Sequence, residues 1–302
     1  MAVNTVRVKI NDTWYNATLN SSTGKYDVSV TAPSKSSYTL DGHYYPVTVE
    51  ATDTAGNSTT KDDTDSTLGS SLRLQVKEKV APVITVTSPT ASQMLTNNKP
   101  KFTWEVTDDD SGVNPDTIGI IIDSGSKITS GITKTAITGG YQCTYTPSSA
   151  LADGNHTIKF DASDNDGNAA TQKSVTFKVD TVPPTLSVTA PTEGLVTNKS
   201  ACTVSGTTND ETSSPVTVTV KLNSGSAENV TVNADGTFSK ALTLAQGTNT
   251  IVITARDAAG KTTSITRTVV LNTVAPTIKS VTINPNPVDC GKTYIISIEV
   301  TD

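Results

Sequence analysis

The sequence is poor in the residues on which most side-chain chemistry depends. Aromatics make up 5% of 302 residues, and there are two histidines, three cysteines, two tryptophans and two methionines. His43 and His156 fall in different repeat units, described below. No Ser-His-Asp or Cys-His set can therefore be assembled inside one domain, and both read as surface or strand histidines. Cys143, Cys202 and Cys290 also fall in three separate units, which leaves no partner for a bridge within a domain. All three read as free thiols, with Cys290 in a turn. Lysine and arginine (23) are outnumbered by acids (29) and scattered singly, giving a net charge of −6. With no basic stripe to meet a phosphate backbone, nucleic acid is not an expected partner. No apolar run approaches the roughly 18 residues of a membrane helix, so none is expected to span a bilayer. The opening Met-Ala-Val-Asn-Thr-Val lacks a charged and then apolar leader, and the expectation is synthesis in a cytoplasm without a signal peptide.

What the sequence has in abundance is Thr, Val, Ser and Asn, punctuated by Gly and Pro. β-Branched residues suit a pleated surface, and the punctuation suits frequent turns. An apolar fraction of 34% is low for one large globule and fits several thin sandwiches. Two phrases recur. The first marks a boundary: Val80-Ala81-Pro82-Val83-Ile84, Val182-Pro183-Pro184-Thr185-Leu186 and Val274-Ala275-Pro276-Thr277-Ile278. Pro82 and Pro184 lie 102 residues apart, and Pro184 and Pro276 lie 92 apart, each about the length of one seven-stranded sandwich. The second phrase closes each unit: Val49–Asn57, Phe160–Asn168 and Ile253–Lys261. Each is an alternating strand that runs into an Asp-x-x-Gly turn, the signature of a late hairpin. The expected architecture is all-β, tandem immunoglobulin-like sandwiches in an elongated rod. The units are 1–80, 81–181, 182–274 and 275–302.

At these two phrases the chain resembles the bacterial Ig-like repeat families, over essentially its whole length. The resemblance implies the sandwich fold and supplies no catalytic residues and no cofactor. The opening stretch Val6–Asn16 resembles Ig-like proteins from phages of Gram-positive bacteria. That narrower likeness implies a structural component of a virion, a tail appendage or surface decoration made in the host cytoplasm. The alternatives are an adhesive module on a bacterial cell surface that binds carbohydrate, and a stalk that spaces another domain.

The ends do not match the middle. The complete units begin with two strands before their main body, as in Ile84–Ser88 and Lys101–Val106. The first unit has no such prelude: its Val3–Asn11 aligns with Thr217–Asn223, the third strand of a later repeat, and its Val47–Asp53 aligns with Ile251–Asp257. Residues 275–302 supply only the two missing strands, and Glu299-Val300-Thr301-Asp302 aligns with Glu105-Val106-Thr107-Asp108. A lone hairpin is marginal in water and its open edges are templates for pairing. The expectation is that Ile278, Val281, Ile283, Tyr294, Ile296, Ile298 and Val300 of one chain complete another chain's first unit. The acceptor residues would be Val6, Val8, Ile10, Trp14 and Tyr15. Partners are thus copies of the chain joined end to end, or another virion protein carrying the missing half. Truncation, or a first unit that stands alone, is the competing account.

Asp161, Asp164 and Asp166 around Gly167-Asn168 have the spacing of a hard-cation site such as calcium. The equivalent turns replace these acids with Thr54, Ala55, Ala258 and Ala259, so solvated turn acids explain all three units and no metal is expected. Tyr44 and Tyr45, with Trp14-Tyr15, offer a contact for a partner or a host surface glycan, because strand neighbours face opposite ways. Trp104 alternates with Phe102 and Val106 and reads as core. A carboxylate pair for glycoside hydrolysis needs a cleft that thin sandwiches seldom provide, so the chain is expected not to be an enzyme.

Overall fold

The computed structural model describes residues 2–302, and all its regular structure is β apart from two short 3₁₀ turns at Asp41–His43 and Gly69–Leu72. Residues up to Val179 form one compact unit and Asp180–Asp302 a second.

The first compact unit opens with a single sheet. Its strands are β1 (Val3–Ile10), β2 (Thr13–Asn20), β3 (Lys25–Asp27), β4 (Tyr45–Asp53), β5 (Ser58–Lys61) and β6 (Arg73–Leu74). The order is β3-β2-β1-β4-β5, with β6 also pairing β4. Asn11 and Asp12 join β1 to β2 with φ of 47° and 60°. Those two positive values are what a two-residue type I′ hairpin requires. No second sheet covers this one, and Tyr45 and Leu72 are its only buried large apolar side chains among the described residues.

A full sandwich follows: β7 (Val83–Ser88), β8 (Met94–Leu95), β9 (Phe102–Thr107), β10 (Val113–Ile122), β11 (Thr133–Ile137), β12 (Gly140–Tyr145), β13 (Gly154–Asp164) and β14 (Lys173–Val179). One sheet is β10-β13-β14-β8 and the other β11-β12-β9-β7. Strict alternation places Phe102, Trp104 and Val106 of β9 at 0% exposure, facing Ile158 and Phe160 of β13. Trp104 stacks tilted on Phe160 at 5.1 Å, and Phe102 meets Phe177 edge-on at 5.6 Å. Each such large side chain contributes about 1.5–3 kcal/mol by leaving water. Cys143 is buried in the same core, and burial pushes its thiol pKa up to about 11.

The second compact unit opens with a third domain that repeats the plan of the β7–β14 sandwich, the second domain. Its strands are β15 (Thr185–Ala190), β16 (Leu195–Thr197), β17 (Ala201–Asn209), β18 (Thr217–Leu222), β19 (Glu228–Val230), β20 (Thr237–Thr243), β21 (Gly247–Arg256) and β22 (Thr262–Leu271). The sheets β15-β17-β20 and β16-β22-β21-β18-β19 enclose Val204, Val218, Val220, Ile251, Ile253 and Val269. A two-stranded sheet of β23 (Thr277–Asn284) and β24 (Ile295–Thr301) comes last.

The three closing turns are built alike. Asp53 Oδ1 accepts from the Asn57 amide at 2.9 Å, Asp164 Oδ1 from Asn168 at 2.7 Å and Asp257 Oδ1 from Lys261 at 2.8 Å. The glycine of each turn has positive φ: 88° at Gly56, 95° at Gly167 and 90° at Gly260. The sequence phrase therefore encodes one local structure three times.

Candidate functional site

The hairpin β23–β24 repeats the opening strand pair of each sandwich in register. Val83 pairs with Thr107, Thr185 with Asn209 and Thr277 with Thr301, each pair spanning 24 residues. In the hairpin Ile278 lies opposite Val300, Val281 opposite Ile298 and Ile283 opposite Ile296, which puts all six on one face. Tyr294, just before β24, continues that alternation. The other face carries Ser280, whose hydroxyl donates to Glu299 at 3.1 Å. Asp302 corresponds to Asp108, so Val300, Ile298 and Ile296 correspond to Val106, Trp104 and Phe102. Those three are 0% exposed in the second domain, whereas Val300, Ile298 and Ile296 are 52%, 58% and 51% exposed. Among the described residues, β23 and β24 pair only with each other.

The first unit offers a face of the complementary kind. Val6, Val8 and Ile10 on β1 stand opposite Ala17, Tyr15 and Thr13 on β2 and opposite Ala51, Val49 and Val47 on β4. These side chains share one apolar side of the sheet and are half-buried on β1. Trp14 does not join them. Its neighbour Tyr15 takes the apolar side, so alternation turns Trp14 to the polar side. There it receives the Arg7 guanidinium over its ring at 4.2 Å, and Arg7 in turn pairs with Glu50 at 2.9 Å. The expected acceptor set thus reduces to Val6, Val8, Ile10 and Tyr15.

Tyr44 and Tyr45 do not present two open rings. Tyr45 is buried and its hydroxyl donates to the Lys35 carbonyl at 3.2 Å. Tyr44 donates to Asp63 Oδ2 at 2.8 Å and carries Arg73 over one ring face at 4.9 Å. The bond to the Asp63 carboxylate is the chief cause that raises the Tyr44 pKa. Tyr45 is thus closed to a sugar contact, while Tyr44 is half-buried with Arg73 over one face.

The acids group differently from the sequence expectation. Asp161 and Asp166 are not in the grouped set: Asp161 accepts from Gln172 at 2.9 Å, and Asp166 accepts the Glu78 amide at 2.9 Å. Asp164 instead meets Glu78 and Asp108, with one carboxylate oxygen of each within 4.8 Å of the others. The third domain carries the same arrangement in Asp180, Asp210 and Asp257. The donors come from three places: the segment entering the domain, the end of its second long strand (β9 or β17) and the closing turn. Their signature in the sequence is a 30-residue interval, Glu78 to Asp108 and Asp180 to Asp210, joined by the closing-turn Asp. An inspection of any one turn misses it.

Burial sharpens the second group. Asp180, Asp210 and Asp257 are 0%, 7% and 5% exposed. Amides of Val182, Thr212, Ser213 and Lys261 donate to them, as does the Ser213 hydroxyl, which reaches Asp180 Oδ2. Asp257 Oδ1 is held by Lys261, while its Oδ2 is buried with no hydrogen-bond partner. At an effective dielectric of about 20, two carboxylates that close repel by roughly 3 kcal/mol. In the first group Asn168 engages both oxygens of Asp164, and the buried Ser111 hydroxyl has no partner.

Neither histidine belongs to these groups. His156 is buried, with one ring nitrogen 2.9 Å from Asp123 and the other 2.8 Å from the Ala152 carbonyl. Burial opposes the imidazolium, but the Ala152 carbonyl and Asp123 outweigh it and raise the pKa. His43 is exposed and stacks on Tyr38 at 4.5 Å.

A family model described as a bacterial Ig-like domain matches residues 82–181, and one described as glucodextranase, domain B, matches residues 184–273. No curated protein matches the chain in sequence. Similar solved structures include the fibronectin(III)-like modules of CbhA from Clostridium thermocellum, 17% identical over 63% of this chain and 94% of that one, with a TM-score of 0.37. Dimeric latent PorU from Porphyromonas gingivalis is 17% identical over 89% of this chain and 30% of that one, at 0.30. Immunoglobulin domains 1–4 of Sidekick-1 are 11% identical over 88% of this chain and 67% of that one, at 0.39. The two family matches coincide with the two full sandwiches, which are Ig-like repeats.

Proposed function

We propose that this chain is a structural component that joins to copies of itself by strand addition, the hairpin β23–β24 of one molecule completing the first unit of another. One observation carries the reading: positions fully buried in the second domain are more than half exposed in the hairpin at the same register. A second copy is the occupant because its first unit holds the counterparts of the strands that cover such a pair elsewhere. β1 pairs with β4 as β18 pairs with β21, and β4 with β5 as β21 with β22. That sheet has an apolar face and no opposing sheet. Main-chain bonds along the joined edges supply affinity, and the alternate side chains supply register. The contact is heterologous, so it propagates into a ring or a filament according to the rotation between copies. The likeness of the opening stretch to Ig-like phage proteins supports a place on a phage particle.

Light scattering of the full chain over a concentration series tests this. Multimers that vanish on deletion of residues 275–302 are expected. A mass that stays at 31.5 kDa throughout, or association unchanged by the deletion, overturns it.

A further inference from the structure

The geometry points to a divalent-cation site in the third domain, built from Asp180, Asp210 and Asp257 and selective for a hard ion of the calcium class. Three carboxylates with oxygens mutually within 4.8 Å are each more than nine-tenths buried. Amide and hydroxyl donors spread their charge without cancelling it. The independent mark is Asp257. Its Oδ1 is fixed by the Lys261 amide, and that bond leaves Oδ2 buried and unpartnered on a side chain that meets the other two acids. A buried carboxylate oxygen with no donor is costly, and folding would not retain it without a counter-charge. The donor set is oxygen only, with neither histidine nor cysteine, which disfavours zinc and copper and suits calcium. The arrangement recurs in the second domain as Glu78, Asp108 and Asp164, drawn from the same three structural positions at the same 30-residue interval. There the buried unpartnered atom is the Ser111 hydroxyl, one more oxygen that a cation accepts as a ligand.

The ion fastens the segment entering the domain to the closing turn and to the end of β17. Its effect is therefore on stability, and the mutational signature differs from that of a plain turn acid. Asp257→Asn keeps an oxygen for the Lys261 amide while removing one charge from the repelling trio.

The test is calorimetric titration of the chelator-treated full chain with calcium chloride, and separately with magnesium chloride, alongside thermal unfolding. Saturable calcium binding with a dissociation constant of about 1 mM or tighter is expected. At tenfold excess over that constant, the melting midpoint of the third domain rises by about 7 °C. D257N and D210N each lose one bound ion per chain and the calcium-dependent rise, and D257N melts no lower than the wild type in chelator. D161N, which changes an acid outside both groups, binds calcium as the wild type does. If the wild type takes up no calcium, or if both D257N and D210N bind as many ions as the wild type, the site does not exist. If D257N melts lower by the same amount with and without calcium, Asp257 is a turn acid only and the inference fails.

Discussion

Ile298 and Ser297 are adjacent on β24, and both side chains are exposed in the isolated chain, yet they face opposite ways. Ile298 occupies the register position of Trp104, which is 0% exposed, while itself remaining 58% exposed. Docking of the hairpin would bury the remaining part of a side chain worth about 1.5–3 kcal/mol in full, so roughly 1–2 kcal/mol is at stake there. An aspartate in its place adds an unpaired charge to the closed interface, which costs a further few kcal/mol. Ile298→Asp is therefore expected to weaken association by at least about 3 kcal/mol, or some 100-fold in the dissociation constant. Ser297→Asp places the same charge on the outer face and changes the constant by no more than a few-fold. Neither substitution removes a buried contact from the monomer, so both variants should melt with the wild type. Sedimentation equilibrium of the three proteins under one buffer measures the difference. Equal association by Ile298→Asp and Ser297→Asp would refute the claim that the apolar face is the one that docks.

Further outcomes follow from other parts of the chain. The pKa of His156 is raised in the folded state, so its contribution to stability is complete below the unfolded value near 6.5 and is lost as pH rises through the folded value. Urea unfolding of the second domain should show that decline, and Asp123→Asn should flatten it. Thiol labelling should modify exposed Cys290 rapidly, and buried Cys143, at a pKa of about 11, only on unfolding. A Cβ at Gly206 would sit 2.0 Å from the Ser187 carbonyl and 2.7 Å from the Phe238 ring. Gly206→Ala should therefore cost about 1–3 kcal/mol or more, read as a lower melting midpoint of the third domain. If the hairpin docks as proposed, Asp302, the counterpart of Asp108, would come to the closing turn of Asp53; calcium should then tighten association, and Asp53→Asn should remove that dependence in the same sedimentation assay.

Much of the fold was legible because its signals are local. The Asp-x-x-Gly phrase encodes a turn from five consecutive residues, and the alternation of Phe102, Trp104 and Val106 encodes a buried face from five more. The apolar side of β24 could be read the same way. The acidic groups were not legible in that manner. Asp257 alone looks like a turn acid, which it also is, and its companions Asp180 and Asp210 lie far back in the chain. Only pairing across the sandwich brings them together. Trp14 and Tyr45 show a related limit. Period-two alternation says that neighbours diverge, but which of Trp14 and Tyr15 takes the apolar side depends on the register against β1. The fate of Tyr45 depends on the segment around Lys35, which no strand pattern announces.

In both full sandwiches the second short strand lies parallel to the last one: Met94 and Leu95 beside Lys178 and Val179, and Leu195–Thr197 beside Val269–Leu271. A pull on the two ends of such a domain slides these strands along each other, so the bonds between them are loaded together. They do not open one at a time as in a peeled hairpin. The third domain, with three residue pairs in this patch against two in the second, should hold to the higher force.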